Sequence, residues 1–160
     1  MLKNLGRGMA GLALLLSLST ACASQSNDSL AFTIEQALAT SPMGTDFSNV
    51  VPGDWDRVCI FRPGSTYERV DSVLGARWPD VRNTGIETAD DVTLIAFVRG
   101  SSVVAHVMYP VFKGDFGTPG PEQWYCRPRG NAVFQLRQPI DGSIPWIGPV
   151  RRQPNPRSPG

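Results

Sequence analysis

The seven residues Val92-Thr93-Leu94-Ile95-Ala96-Phe97-Val98 are apolar on nearly both faces of any strand they form. Successive side chains of a strand point to opposite sides. A run of this kind therefore needs a sheet that is covered on both faces. Arg99-Gly100-Ser101 follows as a turn, and Ser102 to Tyr109 is a second β-rich run, so Asp91 to Tyr109 reads as a β-hairpin. Both strands are expected to be central, with helices on one side and loop or tail on the other. The chain has 160 residues, 41% of them hydrophobic and 18% charged, which suits one domain. Its Gly 16 and Pro 14 are spread without a period, which excludes collagen-like and low-complexity architectures.

Other elements group around the hairpin. Val58-Cys59-Ile60-Phe61, within Asp54 to Arg62, lies between Pro52-Gly53 and Pro63-Gly64 and reads as a strand buried on both faces. Ser65-Thr66-Tyr67-Glu68 has the S-x-x-E pattern of a capping box. Tyr67, Val70, Val73 and Leu74 follow at helical spacing, Arg69, Asp71 and Ser72 fall on the wet side, and Gly75 is the stop. A shorter helix is expected over Phe32 to Leu38, with Thr33 as N-cap, Phe32 stapled against Ala37, and Ser41-Pro42 as its end. Lys113 to Pro121 is a Gly/Pro loop leading to Trp124-Tyr125-Cys126. A last strand, Ala132 to Arg137, puts Ala132, Phe134 and Leu136 on one face and Val133, Gln135 and Arg137 on the other. The expected fold class is α+β, an antiparallel sheet of about four strands with two short helices packed on one face. The domain is expected to span 31–147, with a Pro/Arg-rich unstructured tail over 148–160.

Met1 to Cys22 carries Lys3 and Arg7, no acidic residue, and an apolar run from Met9 to Leu18 that ends in small residues, the pattern of a secretory signal. About 20 apolar residues are needed to cross a bilayer, and this core is too short. Leu18-Ser19-Thr20-Ala21-Cys22 resembles the lipobox of bacterial lipoproteins, with Ser19 where that family usually has Leu and Leu18 one place further back. The resemblance implies loss of residues 1–21 and acylation of Cys22. Several acyl chains, at about 0.8 kcal/mol per buried CH₂, hold a protein on a bilayer durably. Ala23, rather than Asp, after the cysteine implies by analogy the outer membrane. Residues 22–30, small and polar, suit a flexible tether. The alternative is an ordinary signal cleaved after Ala21 or Ala23, releasing a soluble periplasmic protein.

The three cysteines are Cys22, Cys59 and Cys126. With Cys22 given to lipid, an even pair is left in an oxidising compartment, and a Cys59–Cys126 disulfide is expected. Closing a loop of that length contributes about 4 kcal/mol in the chain-entropy view. Two cysteines and the lone His106 lack the paired short spacings of a zinc site, so no metal or other cofactor is expected.

The net charge of +1 argues against a nucleic-acid binder. Charge is uneven all the same. Residues 22–126 carry seven basic and thirteen acidic side chains, whereas 127–160 carry six Arg and one Asp. Arg151, Arg152 and Arg157 on the tail either touch anionic lipid or an acidic partner, at about 1 kcal/mol per charge, or form a solvated tail that balances the acidic body.

No catalytic constellation stands out. His106 sits in a strand beside Val104 and Met108, whereas general acid–base work needs a cleft with a nucleophile or an orienting carboxylate. No G-x-S-x-G elbow is present, and Asp90-Asp91 reads as a turn before a strand. Asp54 and Asp56 flank Trp55, either for sugar contact or because Trp55 anchors the core at the strand entrance. Trp124, Tyr125 and Trp146 form either an exposed binding surface or a cluster buried beneath the tail.

Trp55-Asp56-Arg57-Val58-Cys59-Ile60-Phe61, with the helix and hairpin that follow, resembles a group of small uncharacterised bacterial lipoproteins and exported proteins with a W-D-x-V-x-[IV]-F-x-P signature, over about residues 54–116. Pro63 to Gly75 is also similar to a helix of the BamE (SmpA/OmlA) lipoproteins, which support β-barrel assembly; in that family helices precede the sheet, and here a strand precedes the matching helix. The resulting expectation is a lipid-anchored module on the periplasmic side that binds or scaffolds without turnover, held to the membrane through its N-terminal lipid, with an envelope protein as a candidate partner. An inhibitor or immunity-type lipoprotein acting through Lys113 to Pro121 is the second reading. An envelope hydrolase, gathering His106 with Asp90 or Asp91, is the third. The oligomeric state is left open.

Overall fold

A computed structural model describes residues 27–117 and 124–150. In chain order the elements are α1 (Asn27–Thr40), β1 (Thr45–Asp46), α2 (Phe47–Val50), β2 (Arg57–Phe61), α3 (Tyr67–Leu74), α4 (Val81–Thr84), β3 (Val92–Arg99), β4 (Ser102–Pro110), β5 (Asp115–Phe116), β6 (Trp124–Pro128), β7 (Val133–Arg137) and β8 (Trp146–Pro149). The class is α+β, as expected. A four-stranded antiparallel sheet in the order β4-β3-β2-β6 holds the hairpin and the Val58–Phe61 strand. A second sheet, in the order β1-β7-β8-β5, was not anticipated; it is antiparallel except for the β5–β8 pair.

The apolar run in β3 explains the layering. Ile95 and Phe97 face one core together with Val58, Ile60, Val107 and Tyr109 of the same sheet, Leu30, Ile34 and Leu38 of α1, and Phe116, Phe134 and Ile147 of the second sheet. Leu94, Ala96 and Val98 face a separate core with Cys59, Phe61, Val70, Leu74, Val81 and Ile86. The two longer helices thus lie on opposite faces of the sheet, not together on one face, because strand periodicity divides β3 between two apolar layers. Aromatic rings join the sheets: Phe47 lies 4.5 Å from Phe134, and Phe116 lies edge-on at 5.8 Å from Phe134 and 5.3 Å from Tyr109. β3 is central, but β4 is an edge strand, which corrects the expectation that both hairpin strands would be interior.

The helix ends also differ from the sequence reading. α1 begins at Asn27, so Asn27 to Leu30 belongs to the helix and not to a tether. Leu30, Ile34 and Leu38 form the buried stripe at four-residue spacing, and Phe32 points outward, 61% exposed. Thr33 is therefore interior to the helix, its hydroxyl donating to the Ser29 carbonyl at 2.9 Å. In α3 the N-cap is Thr66, whose hydroxyl accepts from the Arg69 N–H at 3.2 Å, while the buried Ser65 hydroxyl donates to the Arg62 carbonyl at 2.7 Å. Glu68 instead lies 3.9 Å from Arg82, so the box is replaced by a single cap one residue later. Gly75 ends α3 in the left-handed region, φ 77°, as its lack of a Cβ allows.

Two carboxylates fix the hairpin turn. The Asp56 carboxylate accepts the Gly100 N–H at 2.5 Å, Arg57 donates to the Gly100 carbonyl at 2.7 Å and the Leu74 carbonyl at 2.9 Å, and Asp54 pairs with Arg99 at 3.2 Å. Cys59 and Cys126, opposite each other across β2 and β6, form a disulfide. The expected unstructured tail starts too early: Gly148 and Pro149 complete β8, and the Val150 N–H donates to the Val133 carbonyl at 2.9 Å.

Candidate functional site

The most distinctive surface feature grows out of the register between β7 and β8. Arg137 pairs directly with Trp146, and Gln135 with Gly148. Phe134 is buried on the inner face of β7, so Gln135 and Arg137 project outward. In β8, Ile147 points to the core, so Trp146 and Gly148 share the outer face. The indole lies down over that face. A Cβ at Gly148 or at Gly117 would overlap the ring, so both positions give it room that only glycine leaves. The Arg137 guanidinium sits 5.6 Å from the indole centroid, a distance at which a cation is attracted to the ring face. Trp146 keeps 38% of its surface exposed.

Gln135, Arg137, Trp146, Pro149 and Val150 line a groove of about 390 Å³ beside this stack. The volume falls in the range of small-ligand sites. Its chemistry is an aromatic edge and two apolar side chains, with one amide and one guanidinium for orientation. Such a wall can hold an apolar or flat group and hydrogen-bond an oxygen acceptor.

Of the residues considered from sequence, Trp146 lines this groove, and the other described ones fall elsewhere. Trp55 is a core anchor: buried, its indole N–H donates to the Val51 carbonyl at 3.1 Å, and it stands edge-on to Phe97 at 5.2 Å. Arg129 covers its other side at 4.8 Å and donates to the carbonyls of Gly53 at 2.9 Å, Trp55 at 3.3 Å and Ser48 at 3.3 Å. Tyr125 is buried as well, and burial pushes its hydroxyl well above the usual tyrosine range. The proposed trio of aromatics is thus divided, with Tyr125 inside and Trp146 outside; Trp124 enters β6 opposite Phe61.

His106 pairs with Ala96 in the ladder and packs edge-on against Trp78 at 4.9 Å. Burial lowers its pKa below the ordinary 6.5, and the nearby Asp80 carboxylate opposes that shift. Asp90 is not beside it. It lines a different recess of about 290 Å³ with Arg62, Pro63, Val111 and Asp115, and Asp91 precedes Val92, which faces Pro110 further along the ladder. The gathering on which a hydrolase reading depended is not formed. Among the described residues no group of His, Cys, Asp and Glu could hold a metal ion, and no helix is long and apolar enough to cross a membrane. Cys22, Arg151, Arg152, Arg157, the signal segment and 118–121 of the Gly/Pro loop lie outside the described residues.

The groove was not anticipated. Its available signal was the alternation that put Gln135 and Arg137 on one face of the last predicted strand. Compared with known proteins, the chain matches no family model, no curated protein and no solved structure.

Proposed function

We propose that this chain is a lipid-anchored protein of the bacterial cell envelope whose exported domain binds or scaffolds a partner on the periplasmic side without catalysing a reaction. The observation that carries the reading is the pairing of Cys59 with Cys126. It uses two of three cysteines, and the third, Cys22, stands where a lipobox places its acylated residue. A buried disulfide is also what an oxidising compartment permits and a reducing one opposes. The groove beside Arg137 and Trp146 supplies a surface for recognition, with an envelope protein as the expected partner. The separation of His106 from Asp90 and Asp91 favours binding over hydrolysis.

Intact mass spectrometry of the protein purified from membranes, with and without reductant, tests this. The expected species begins at Cys22, carries acyl mass on that residue, and takes up two hydrogens on reduction of one disulfide. A water-soluble form beginning after Cys22 and titrating as a free dithiol would overturn it.

A further inference from the structure

Resting on that reading, we infer that the flank of the domain bearing Phe32 and Phe112 docks on the lipid surface that holds the anchor. The argument starts from chain length. Only residues 23–26 separate Cys22 from the first residue of α1, and an extended chain covers at most about 18 Å over five Cα steps. An acylated Cys22 therefore keeps the start of α1 close to the bilayer surface, and the domain cannot roam far from it.

Phe32 lies five residues into α1, about 7.5 Å along its axis. It is 61% exposed, because the buried stripe of the helix passes through Leu30, Ile34 and Leu38. Phe112, in the 3-10 turn Val111–Lys113 after β4, is 68% exposed. The segments that carry them meet at an ion pair: Lys113 Nζ, next in sequence to Phe112, lies 2.6 Å from the carboxylate of Glu35, one helical turn after Phe32. Together the exposed parts of the two phenylalanines amount to about 250 Å². Rings of this kind partition to the interface between headgroups and acyl chains. Met43, 81% exposed, lies beyond the other end of α1 and serves as an internal reference.

The full mature chain is reconstituted in phosphatidylethanolamine–phosphatidylglycerol vesicles containing acyl-brominated lipid, with Phe32→Trp, Phe112→Trp or Met43→Trp introduced singly and the parent's tryptophan signal subtracted. Docking predicts that the added indole at 32 or 112 is quenched by at least a third and shifted to the blue, while that at 43 is unchanged. Equal quenching at all three positions, or none at 32 and 112 in protein whose acylation mass spectrometry confirms, overturns docking and leaves the anchor standing. A blue shift at 32 and 112 in native envelopes but not in vesicles overturns the lipid as occupant and assigns the flank to a protein. Absence of acyl mass on Cys22 overturns the anchor and the docking with it.

Discussion

Cys59 and Cys126 stand directly opposite each other in adjacent antiparallel strands, with Cα atoms 4.1 Å apart and their sulfurs bonded. Cys59 is fully buried against Phe61, Val70 and Leu74. The bond therefore ties β2 to β6 inside a packed layer, across 67 residues of sequence. Replacing both cysteines by alanine is expected to cost about 4 kcal/mol, the loop-closure value for this separation. Urea denaturation of the double variant, beside the parent with and without reductant, checks it. A loss below about 1 kcal/mol would mean that the unfolded chain is already restricted without the bond.

Arg129 is the second tie. Its guanidinium serves the carbonyls of Ser48 in α2 and of Gly53 and Trp55 in the segment before β2, and lies over the Trp55 ring. Arg129→Ala should cost about 2–3 kcal/mol, since partly buried carbonyls lose a charged donor. Arg129→Lys keeps the charge but not the planar fork, and should recover less than half of the loss. Equal stability of the lysine variant and the parent would show that charge alone is sufficient there.

The His106 imidazole is held below its ordinary pKa of 6.5 by burial, with Asp80 opposing. The unfolded chain then binds a proton that the folded chain resists. The contribution is whole above about pH 6.5 and is lost as pH falls through that value toward the lower folded one. His106→Gln should flatten the decline of the urea midpoint between pH 7.5 and 5. Asp80→Asn removes the opposing charge and should steepen it. An unchanged profile in both variants would contradict the assignment.

Gly148 in β8 and Gly114, just before β5, make contrasting predictions. At Gly148 an added Cβ would meet the outer ring atoms of Trp146, a half-exposed side chain that can swing away. Gly148→Ala should therefore cost no more than about 1 kcal/mol, while making Trp146 more accessible to acrylamide and dismantling the groove wall. At Gly114 the same Cβ meets the Ile147 side chain, which is fully buried. Gly114→Ala is expected to cost about 1–3 kcal/mol by overpacking. Thermal melts with quenching titrations on both variants separate the two cases.

The parts of this fold that could be read from the chain are those whose pattern is local. The β3–β4 hairpin, the strand around Cys59 and the Gly75 stop each carry their own signal within a few residues. What could not be read depends on pairing at a distance. Trp146-Ile147-Gly148-Pro149 has the composition of a tail, and becomes a strand only because Ile147 meets Leu136 on one side and Phe116 on the other. The start of α1 is not legible in the sequence because Phe32 resembles a staple, whereas the buried stripe begins at Leu30 and leaves Phe32 outside. Asp54 and Asp56 illustrate the same difficulty at the level of function. Beside a tryptophan they suggest a sugar site, but they brace the hairpin turn more than forty residues away. The Arg137–Trp146 stack was invisible for want of the register that creates it.

The first helix sets the distance between the start of the described fold and the groove. Its 14 residues extend about 21 Å. The loop beyond its far end reaches Pro42, whose carbonyl accepts the Leu136 N–H at 2.7 Å, next to Arg137. An anchor at Cys22 would thus sit near one end of a rigid strut and the groove near the other. Built in this way, the domain holds the groove about one helix length from the point where residue 27 enters the fold, so whatever is fixed at that point acts on the groove only through a rigid spacer.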